Sequence, residues 1–306
     1  MKTTAAGKLV CQVLEVAQVA CEAILGVYQE GRMDRTLKAD GSPVTHADML
    51  AHGVILDALR DLTPDVPVLS EECDETAYQD RRQWPTYWLV DPLDGTKEFL
   101  SGTGEFTVNI ALIDGERCIL GVVRAPALNL SYYAVADEGA FRINGKTDPV
   151  RVAAAAYSGG PLRVVVSRSH SDTRLNDLLQ TLRDCECLPA GSSLKFCLVA
   201  EGTAHMYPRL GPTTEWDTAA GHYIVEAAGG HVVDLQGLRL RYNKPSLLNP
   251  EFVACGRFDS APAWVSVTPL EESQILHGSE AGGPLPDFLF EFLRRASRAG
   301  CAPSRL

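Results

Sequence analysis

The chain has 306 residues, of which 45% are hydrophobic and 22% are charged, and its formal net charge is −11. This length exceeds that of a usual single domain, so we expect two lobes with a shared or adjoining core. The acidic balance argues against a broad nucleic-acid-binding surface, which needs clustered basic residues, but it leaves room for a small anionic ligand held by metal ions and a few basic side chains.

The N-terminal half of the chain predicts helices packed on a largely antiparallel sheet. Apolar residues recur at helical spacing over residues 8–30, and Thr45 begins a capping-box-like start of a second helix. Apolar runs of strand length follow at 67–69, 87–90, 106–112, 119–123, 132–136 and 139–143. We assign residues 1–157 to this α+β lobe, and a loop-rich stretch over 144–160 marks its end.

Strands and helices alternate in the next part of the chain, which is typical of an α/β lobe, assigned to residues 158–256. The predicted strands are 162–166, 205–207 and 231–235, and the predicted helices are 173–182, 192–200 and 218–228. Residues 257–306 form a tail of unknown role. No stretch reaches the ~18 apolar residues of a membrane span, so we expect a cytoplasmic protein. A basic, apolar run at 288–295 leaves one form of membrane association open, a peripheral contact with the cytoplasmic face of the inner membrane.

The segment from Asp91 to Thr96 is the most informative part of the sequence. Asp91 ends a predicted strand, and Pro92 interrupts it, so that a turn brings Asp94 close to Asp91. Gly95 permits close backbone approach, and a helix opening after it would face an anion with its free N–H groups. Converging carboxylates repel each other unless a cation lies between them, and oxygen ligands favour Mg²⁺ or Mn²⁺ over Zn²⁺. The alternative is that Asp94 is only a helix N-cap.

Acidic residues also stand at the ends of two other predicted elements. Glu71 follows the strand before that of Asp91, and the two strand ends coincide if the strands are neighbours. Asp217 directly precedes the helix at 218–228, where an N-cap role alone would also explain it. Carboxylates at three element ends are more than capping requires, and together they favour a metal site.

A hydroxyl and a further carboxylate complete the candidate chemistry. Thr96 can orient an attacking water through its hydroxyl, and Asp48 can accept the Thr96 proton. The simpler role for Asp48 is to cap its own helix, and the sequence leaves both open.

Three segments in order resemble the inositol-monophosphatase-like superfamily of metal-dependent, lithium-sensitive phosphatases. They are S-E-E at 70–72, W-L-V-D-P-L-D-G-T-K-E-F at 88–99 and E-W-D-T-A-A-G at 215–221. Within that superfamily the chain is most similar to the bacterial CysQ-type 3'(2'),5'-bisphosphate nucleotidases, on K-A-D-G-S-P-V-T-H-A-D at 38–48 and G-S-S-L-K-F-C-L-V-A-E-G at 191–202. The resemblance implies a layered αβαβα sandwich of the inositol-monophosphatase and fructose-bisphosphatase type.

The resemblance also implies roles for individual residues. Two or three Mg²⁺ ions, with Mn²⁺ as a substitute, would be held by residues that match the family's ligands: Glu71, Asp91, Leu93 (through its carbonyl), Asp94 and Asp217. Gly95 and Thr96 match the turn that holds the phosphate, and Asp48 matches the partner of Thr96 in activating water. The residues that match nucleotide contacts are His170, Ser192, Lys195 and Arg209, and Glu71, Leu93, Asp94 and Asp217 border the substrate as well.

The implied activity is hydrolysis of adenosine 3',5'-bisphosphate to AMP and phosphate by metal-activated water, in sulfur assimilation and nucleotide recycling. The expected partner is therefore a small nucleoside bisphosphate and not a nucleic acid polymer, and the oligomeric state stays open. Two alternatives remain. One is an inositol monophosphatase or another sugar-phosphate phosphatase of the same superfamily, and the other is a non-catalytic metal or nucleotide sensor.

Overall fold

The structure is a computed structural model that describes residues 5–31, 35–37, 43–73, 76–169, 173–180 and 184–258. Predictions that fall elsewhere lie outside the described residues. These include the role of His170 and the proposals for the tail beyond residue 258.

Seven helices and sixteen strands are formed by the described residues. The helices are α1 (Ala5–Glu30), α2 (His46–Leu62), α3 (Tyr78–Arg81), α4 (Thr96–Leu100), α5 (Thr173–Gln180), α6 (Leu194–Ala200) and α7 (Glu215–Ala227). The strands of the first half are β1 (Arg35–Leu37), β2 (Pro43–Thr45), β3 (Val68–Ser70), β4 (Thr86–Asp94), β5 (Thr107–Asp114), β6 (Arg117–Ala125), β7 (Leu130–Val135), β8 (Gly139–Asn144) and β9 (Val150–Val152). Those of the second half are β10 (Ala156–Tyr157), β11 (Leu162–Ser167), β12 (Cys185–Ala190), β13 (Met206–Arg209), β14 (His231–Asp234), β15 (Phe252–Cys255) and β16 (Arg257–Phe258).

Two main sheets organise the fold. The larger has seven strands in the order β3-β4-β5-β6-β7-β8-β9, antiparallel throughout except for the parallel pair β3-β4. The smaller has five strands in the order β12-β11-β13-β15-β14, in which β12, β11 and β13 are parallel and β15 runs antiparallel to its neighbours. Two short pairs, β1-β2 and β10-β16, lie outside these sheets.

Side-chain alternation along the strands explains how the layers stack. In β4, Trp88 and Val90 face the core formed with α1 and α2, whereas Tyr87 and Leu89 face the core that contains α6 and α7. The second core continues onto one face of the smaller sheet, whose other face packs on α5. The layers therefore follow the order helix, sheet, helix, sheet, helix, which confirms the predicted αβαβα sandwich.

The first helix is long and apolar enough, by length and composition, to cross a membrane. The prediction that no segment has this property was therefore wrong. Its apolar stripe is nevertheless buried against α2 and the larger sheet, through Val13, Ala17, Ala20 and Ile24. In this structure α1 serves as a core helix.

Other differences from the predictions have local causes. The loop-rich stretch over 144–160 contains β9 and β10, and the short strands β12 and β15 were not predicted. The division into lobes at residue 157 stays a prediction. Helix α7 begins at Glu215 and not at Thr218, because Thr214 is its N-cap and Asp217 completes a capping box from the third helical position.

Candidate active site

The two aspartates of the central segment lie on either side of an irregularity in β4. The strand pairs regularly with β5 up to Asp91, and the register then shifts before pairing resumes at Asp94. The strand thus continues past Pro92 through a bulge. The prediction that it ends at Asp91 was wrong. The Leu93 N–H donates to Asp91 Oδ1 over 3.1 Å, which fixes that carboxylate in the bend. Gly95 follows with a φ of +88°, a left-handed conformation that suits glycine, and α4 then begins.

Three carboxylates from different elements meet beside this bend. Glu71 follows β3, and since β3 and β4 are parallel neighbours, it lies at the same sheet edge as Asp91. Asp217 comes from the first turn of α7. One oxygen from each of the three residues lies within 4.8 Å of the others. The alternative that Asp217 is only an N-cap is wrong, because Thr214 is the N-cap of α7; Asp217 Oδ2 accepts the Thr214 N–H over 2.8 Å, so this side chain completes the capping box and also reaches the cluster.

Asp94 lies in the same cleft, outside that three-residue cluster, and is held by two polar neighbours. Ser193 Oγ donates to Asp94 Oδ2 over 2.9 Å, and Asn109 Nδ2 lies 3.5 Å from the same oxygen. Asn109 also donates to Ser193 Oγ over 2.9 Å. Asp94 is not the N-cap of α4, a position that Gly95 occupies. Leu93 is almost fully buried and lines the cleft as well.

Burial and mutual repulsion raise the pKa of these acids. Burial is the main cause for Asp91, and the nearby Glu71, Asp94 and Asp217 raise its pKa further. The pKa of Asp94 is also raised by burial, although Lys195 and the Ser193 hydrogen bond oppose the shift. For Asp217, burial followed by Asp94 and Glu71 raises the pKa to about 7. Carboxylates in this state gain from a cation that neutralises them.

The arrangement fits a hard divalent cation. Asp91 is 1% exposed, and its Oδ2 has no hydrogen-bond partner among the described residues. A buried carboxylate oxygen without a partner costs free energy, and a cation between the three carboxylates would remove that cost. The donor set consists of oxygen atoms alone, which suits Mg²⁺ or Mn²⁺.

Asp48 combines the two roles that the sequence left open. Its Oδ2 accepts the Thr45 N–H over 2.7 Å and also contacts the Thr45 hydroxyl, which completes the N-terminal cap of α2. Its Oδ1 faces the Thr96 hydroxyl at 3.4 Å. The pKa of Asp48 is raised by burial, against the hydrogen bonds from Thr45. The Asp48 carboxylate thus caps the N-terminus of α2 and also contacts Thr96, the first residue of α4.

Basic and hydroxyl side chains line the rest of the cleft, which has a volume of about 450 Å³. Lys195 is buried over the ring of Tyr207, and this burial lowers its pKa to about 8, against the attraction of Asp94. Arg209 donates from Nη2 to the Pro212 carbonyl over 2.9 Å. In the described part of the chain, the buried Arg209 Nε and Ser192 Oγ have no hydrogen-bond partner, which leaves them available to a ligand.

The structure therefore brings the predicted site residues into one cleft, apart from Asp48, which adjoins it through Thr96, and His170, which lies outside the described residues. Sequence analysis missed Ser193 and Asn109, which hold Asp94. A signal for Asn109 exists, since it is an amide at a buried position within an apolar strand. Ser193 has no comparable periodic signal, because its contacts to Asn109 and Asp94 span 84 and 99 residues of sequence.

Comparisons with known proteins agree with this geometry. The model of the inositol monophosphatase family matches residues 8–260. A protein of Escherichia coli described as 3'(2'),5'-bisphosphate nucleotidase CysQ is 54% identical over 243 residues, which is 79% of this chain and 97% of that protein. Its counterpart from Buchnera aphidicola is 42% identical over 259 residues, covering 83% of this chain and 94% of that protein.

Solved structures give the same result. The crystal structure of CysQ from Bacteroides thetaiotaomicron, described as a bacterial member of the inositol monophosphatase family, superposes with a TM-score of 0.71 at 40% identity and covers 82% of this chain and 97% of its own. An inositol monophosphatase of Thermotoga maritima has the same fold, with a TM-score of 0.69 at 22% identity over 94% of this chain and 96% of its own. On the family match and these relatives, the chain belongs to the inositol monophosphatase family.

Proposed function

We propose that this protein is a magnesium-dependent phosphomonoesterase, a 3'(2'),5'-bisphosphate nucleotidase that converts adenosine 3',5'-bisphosphate to AMP and phosphate. The observation that carries the proposal is that two kinds of phosphate-binding group line one cleft. Carboxylates that suit divalent cations lie there together with two basic side chains, the buried Lys195 and Arg209 with its free Nε. A substrate with two separate phosphate groups matches both kinds, and the relatives named above carry the same activity in their descriptions.

Mg²⁺ would be held by the residues that converge on the acidic part of the cleft, namely Glu71, Asp91, Leu93, Asp94 and Asp217, with two or three ions per site and Mn²⁺ as a substitute. When bound, such ions supply Lewis-acid activation of water and neutralise charge on the leaving oxygen. The chain's own residues then have distinct tasks. Thr96 orients the attacking water through its hydroxyl, and Asp48 Oδ1 takes up the Thr96 proton.

The second phosphate would be bound by basic residues of the cleft. Arg209 offers its free Nε, and Lys195 offers a charged ammonium at neutral pH, since its pKa stands at about 8. Ser192 adds a hydroxyl without a partner among the described residues. His170 is proposed to contact the nucleotide on the resemblance alone.

We place this reaction in the cytoplasm, within sulfur assimilation and nucleotide recycling. None of the eight cysteines that the structure describes forms a disulfide, which suits a reducing compartment.

Phosphate release from a panel of esters, measured with Mg²⁺, tests the proposal. We expect a strong preference for adenosine 3',5'-bisphosphate over inositol 1-phosphate and fructose 1,6-bisphosphate. Charge reversal by Lys195→Glu or Arg209→Glu should reduce nucleotide hydrolysis by on the order of 100-fold, because a buried pair to phosphate is replaced by repulsion. Arg117→Glu, in the exposed hairpin between β5 and β6, is the matched control and should leave turnover unchanged.

A preference for inositol 1-phosphate would refute the substrate assignment. Binding of the nucleotide without turnover would instead support a sensor.

A further inference from the structure

A carboxylate outside the predicted site connects the two main sheets beside the cleft. Glu105 lies just before β5 of the larger sheet. Its side chain accepts three hydrogen bonds from residues that follow strands of the smaller sheet. Arg168 donates from Nε and Nη2 over 2.7 and 2.8 Å, and the Gly191 N–H donates to Oε2 over 2.7 Å. Arg168 also donates to the Pro189 carbonyl over 2.9 Å, so Glu105 and Arg168 together fix the end of β12.

The segment that follows β12 contacts the segment that precedes β5 at Gly191. A Cβ added to this glycine would lie 2.6 Å from the Glu105 carbonyl oxygen and 2.7 Å from Glu98 Cγ. Such distances exclude any larger side chain without a shift of the backbone. The turn that starts at Gly191 therefore packs directly against Glu105.

This turn carries two residues of the cleft. Ser192 has a φ of +44°, an uncommon conformation for a residue with a side chain, which needs support from its surroundings. Its Oγ is buried, lines the cleft and has no partner among the described residues. Ser193 follows, and its Oγ lies 2.9 Å from Asp94 Oδ2 and 2.9 Å from the Asp217 carbonyl oxygen. A shift of the turn would displace the Ser192 hydroxyl, whereas Asp94 would keep its contact to Asn109 in β5.

A purely stabilising ion pair is the alternative role for Glu105 and Arg168. Their side chains are 20% and 39% exposed, and pairs with this exposure contribute little to stability. The directional bond to the Gly191 N–H has a more specific consequence, because it holds the backbone of the turn. The pKa of Glu105 is accordingly lowered, since the bonds from Arg168 and Gly191 outweigh its partial burial.

We propose that Glu105 is a positioning residue, which acts through the Gly191 N–H to hold the Ser192 hydroxyl where it meets the nucleotide substrate. This inference rests on the proposed function. It assigns Glu105 to substrate affinity and leaves the metal centre and the chemical step to other residues.

Three variants separate the Gly191 contact from the ion pair. Glu105→Ala removes both, and we expect KM for adenosine 3',5'-bisphosphate to rise about tenfold, as for loss of one hydrogen bond to a charged group. Glu105→Gln keeps an acceptor for the Gly191 N–H and should restore KM to within about threefold of the parent. Arg168→Met keeps Glu105 and should likewise give a small rise. In all three, kcat, the Mg²⁺ concentration for half-maximal activity and Tm should stay close to the parent values.

The control is Glu116→Ala, which breaks the exposed pair with Arg241 at 3.3 Å; neither residue lines the cleft. It should leave KM unchanged. A rise in KM for Glu105→Ala with recovery in Glu105→Gln supports the proposal. Unchanged KM, a loss confined to kcat, or a loss that follows a lowered Tm would overturn it. If the parent protein prefers another phosphate ester, the proposed nucleotidase function fails, and the same comparison of KM values with that ester still decides the role of Glu105.

Discussion

At the scale of single residues, Asp48 joins local structure to chemistry. Its two oxygens have different partners, since Oδ2 is occupied by Thr45 and Oδ1 faces Thr96. The cap immobilises the carboxylate, so that in the proposed mechanism only Oδ1 is left to take up the Thr96 proton. The Thr96 hydroxyl is thereby oriented by a group that is itself part of a helix end.

Conservative changes at Thr96 test this arrangement. Thr96→Ser keeps the hydroxyl and should retain most of kcat, whereas Thr96→Val has the same shape without the hydroxyl. Because positioned proton transfer contributes ~10²–10⁴-fold, kcat of Thr96→Val should fall by at least 100-fold with an unchanged Tm. Steady-state phosphate release and thermal unfolding measure both quantities. Equal turnover of the two variants would exclude a role for the hydroxyl.

Lys195 predicts a pH dependence of substrate binding. Burial lowers its pKa to about 8, so the side chain is charged at pH 7 and mostly neutral at pH 9. Substrate phosphates are already dianionic over this range. We therefore expect KM for the nucleotide to rise about tenfold between pH 7 and pH 9, as the fraction of charged Lys195 falls.

The variant Lys195→Met carries no charge at any pH and provides the comparison. Its KM should be high and should not vary between pH 7 and pH 9. If the variant kept the rise in KM of the parent, another group would be responsible.

At the scale of elements, helix α7 packs closely on the larger sheet because Gly121 in β6 has no side chain. A Cβ added to Gly121 in β6 would lie 2.6 Å from the Ala220 carbonyl oxygen of α7. The atom that would be struck belongs to the backbone and cannot rotate away. This close approach brings Asp217, in the first turn of α7, to the edge of the sheet that carries Asp91.

Gly121→Ala should therefore destabilise the protein by about 1–3 kcal/mol, the usual cost of overpacking. Gly26→Ala is the control, because Gly26 lies in the interior of α1 and an added Cβ would meet nothing within 4 Å. That change should stabilise the protein by about 0.5–1 kcal/mol, since glycine is a poor helix former. Denaturant unfolding measures both free energies. A neutral Gly121→Ala would mean that α7 can move off the sheet without cost.

The predictability of each element from sequence follows from where its determinants lie. Strands β4 to β8 were predicted because alternation and turn residues are local signals. Strand β12 was missed since it is an edge strand with Pro189 near its end and Glu186 within it, and only Ala190 is buried. The acidic residues of the cleft stand at element ends and were predicted as candidates, but Ser193, Asn109 and Glu105 act through contacts made only in the folded chain.

At the scale of the whole molecule, the acidic cluster of Glu71, Asp91 and Asp217 is formed by residues from different layers of the fold. Asp91 lies in the larger sheet and Glu71 directly follows one of its strands, whereas Asp217 belongs to a helix that packs between the two sheets. The chain's net charge of −11 adds to the repulsion within the cluster. A cation bound there would join these layers. Metal binding should therefore raise the free energy of unfolding of the protein.

The raised pKa of Asp217 gives this coupling a pH dependence. Its value of about 7 in the folded protein lies above the ordinary 3.8, so the metal-free folded state holds more protons than the unfolded state between these values. Stability of the metal-free protein should therefore fall as pH rises through this window. Mg²⁺ should offset the loss, and its effect on Tm should be larger at pH 7.5 than at pH 5. At 100 times its Kd, one bound ion adds about 2.7 kcal/mol.

The variant Asp217→Asn removes the charge and keeps an acceptor for the Thr214 N–H. Without metal at pH 7.5 it should unfold at a higher temperature than the parent, because the repulsion is relieved. It should gain little Tm from Mg²⁺ and lose on the order of 10³-fold in kcat, equivalent to several kcal/mol of transition-state stabilisation. Calorimetry with chelator or Mg²⁺ at both pH values measures the first two effects. If the variant were less stable than the parent under chelation, or gained as much from Mg²⁺, Asp217 would be a helix cap without a part in the metal centre.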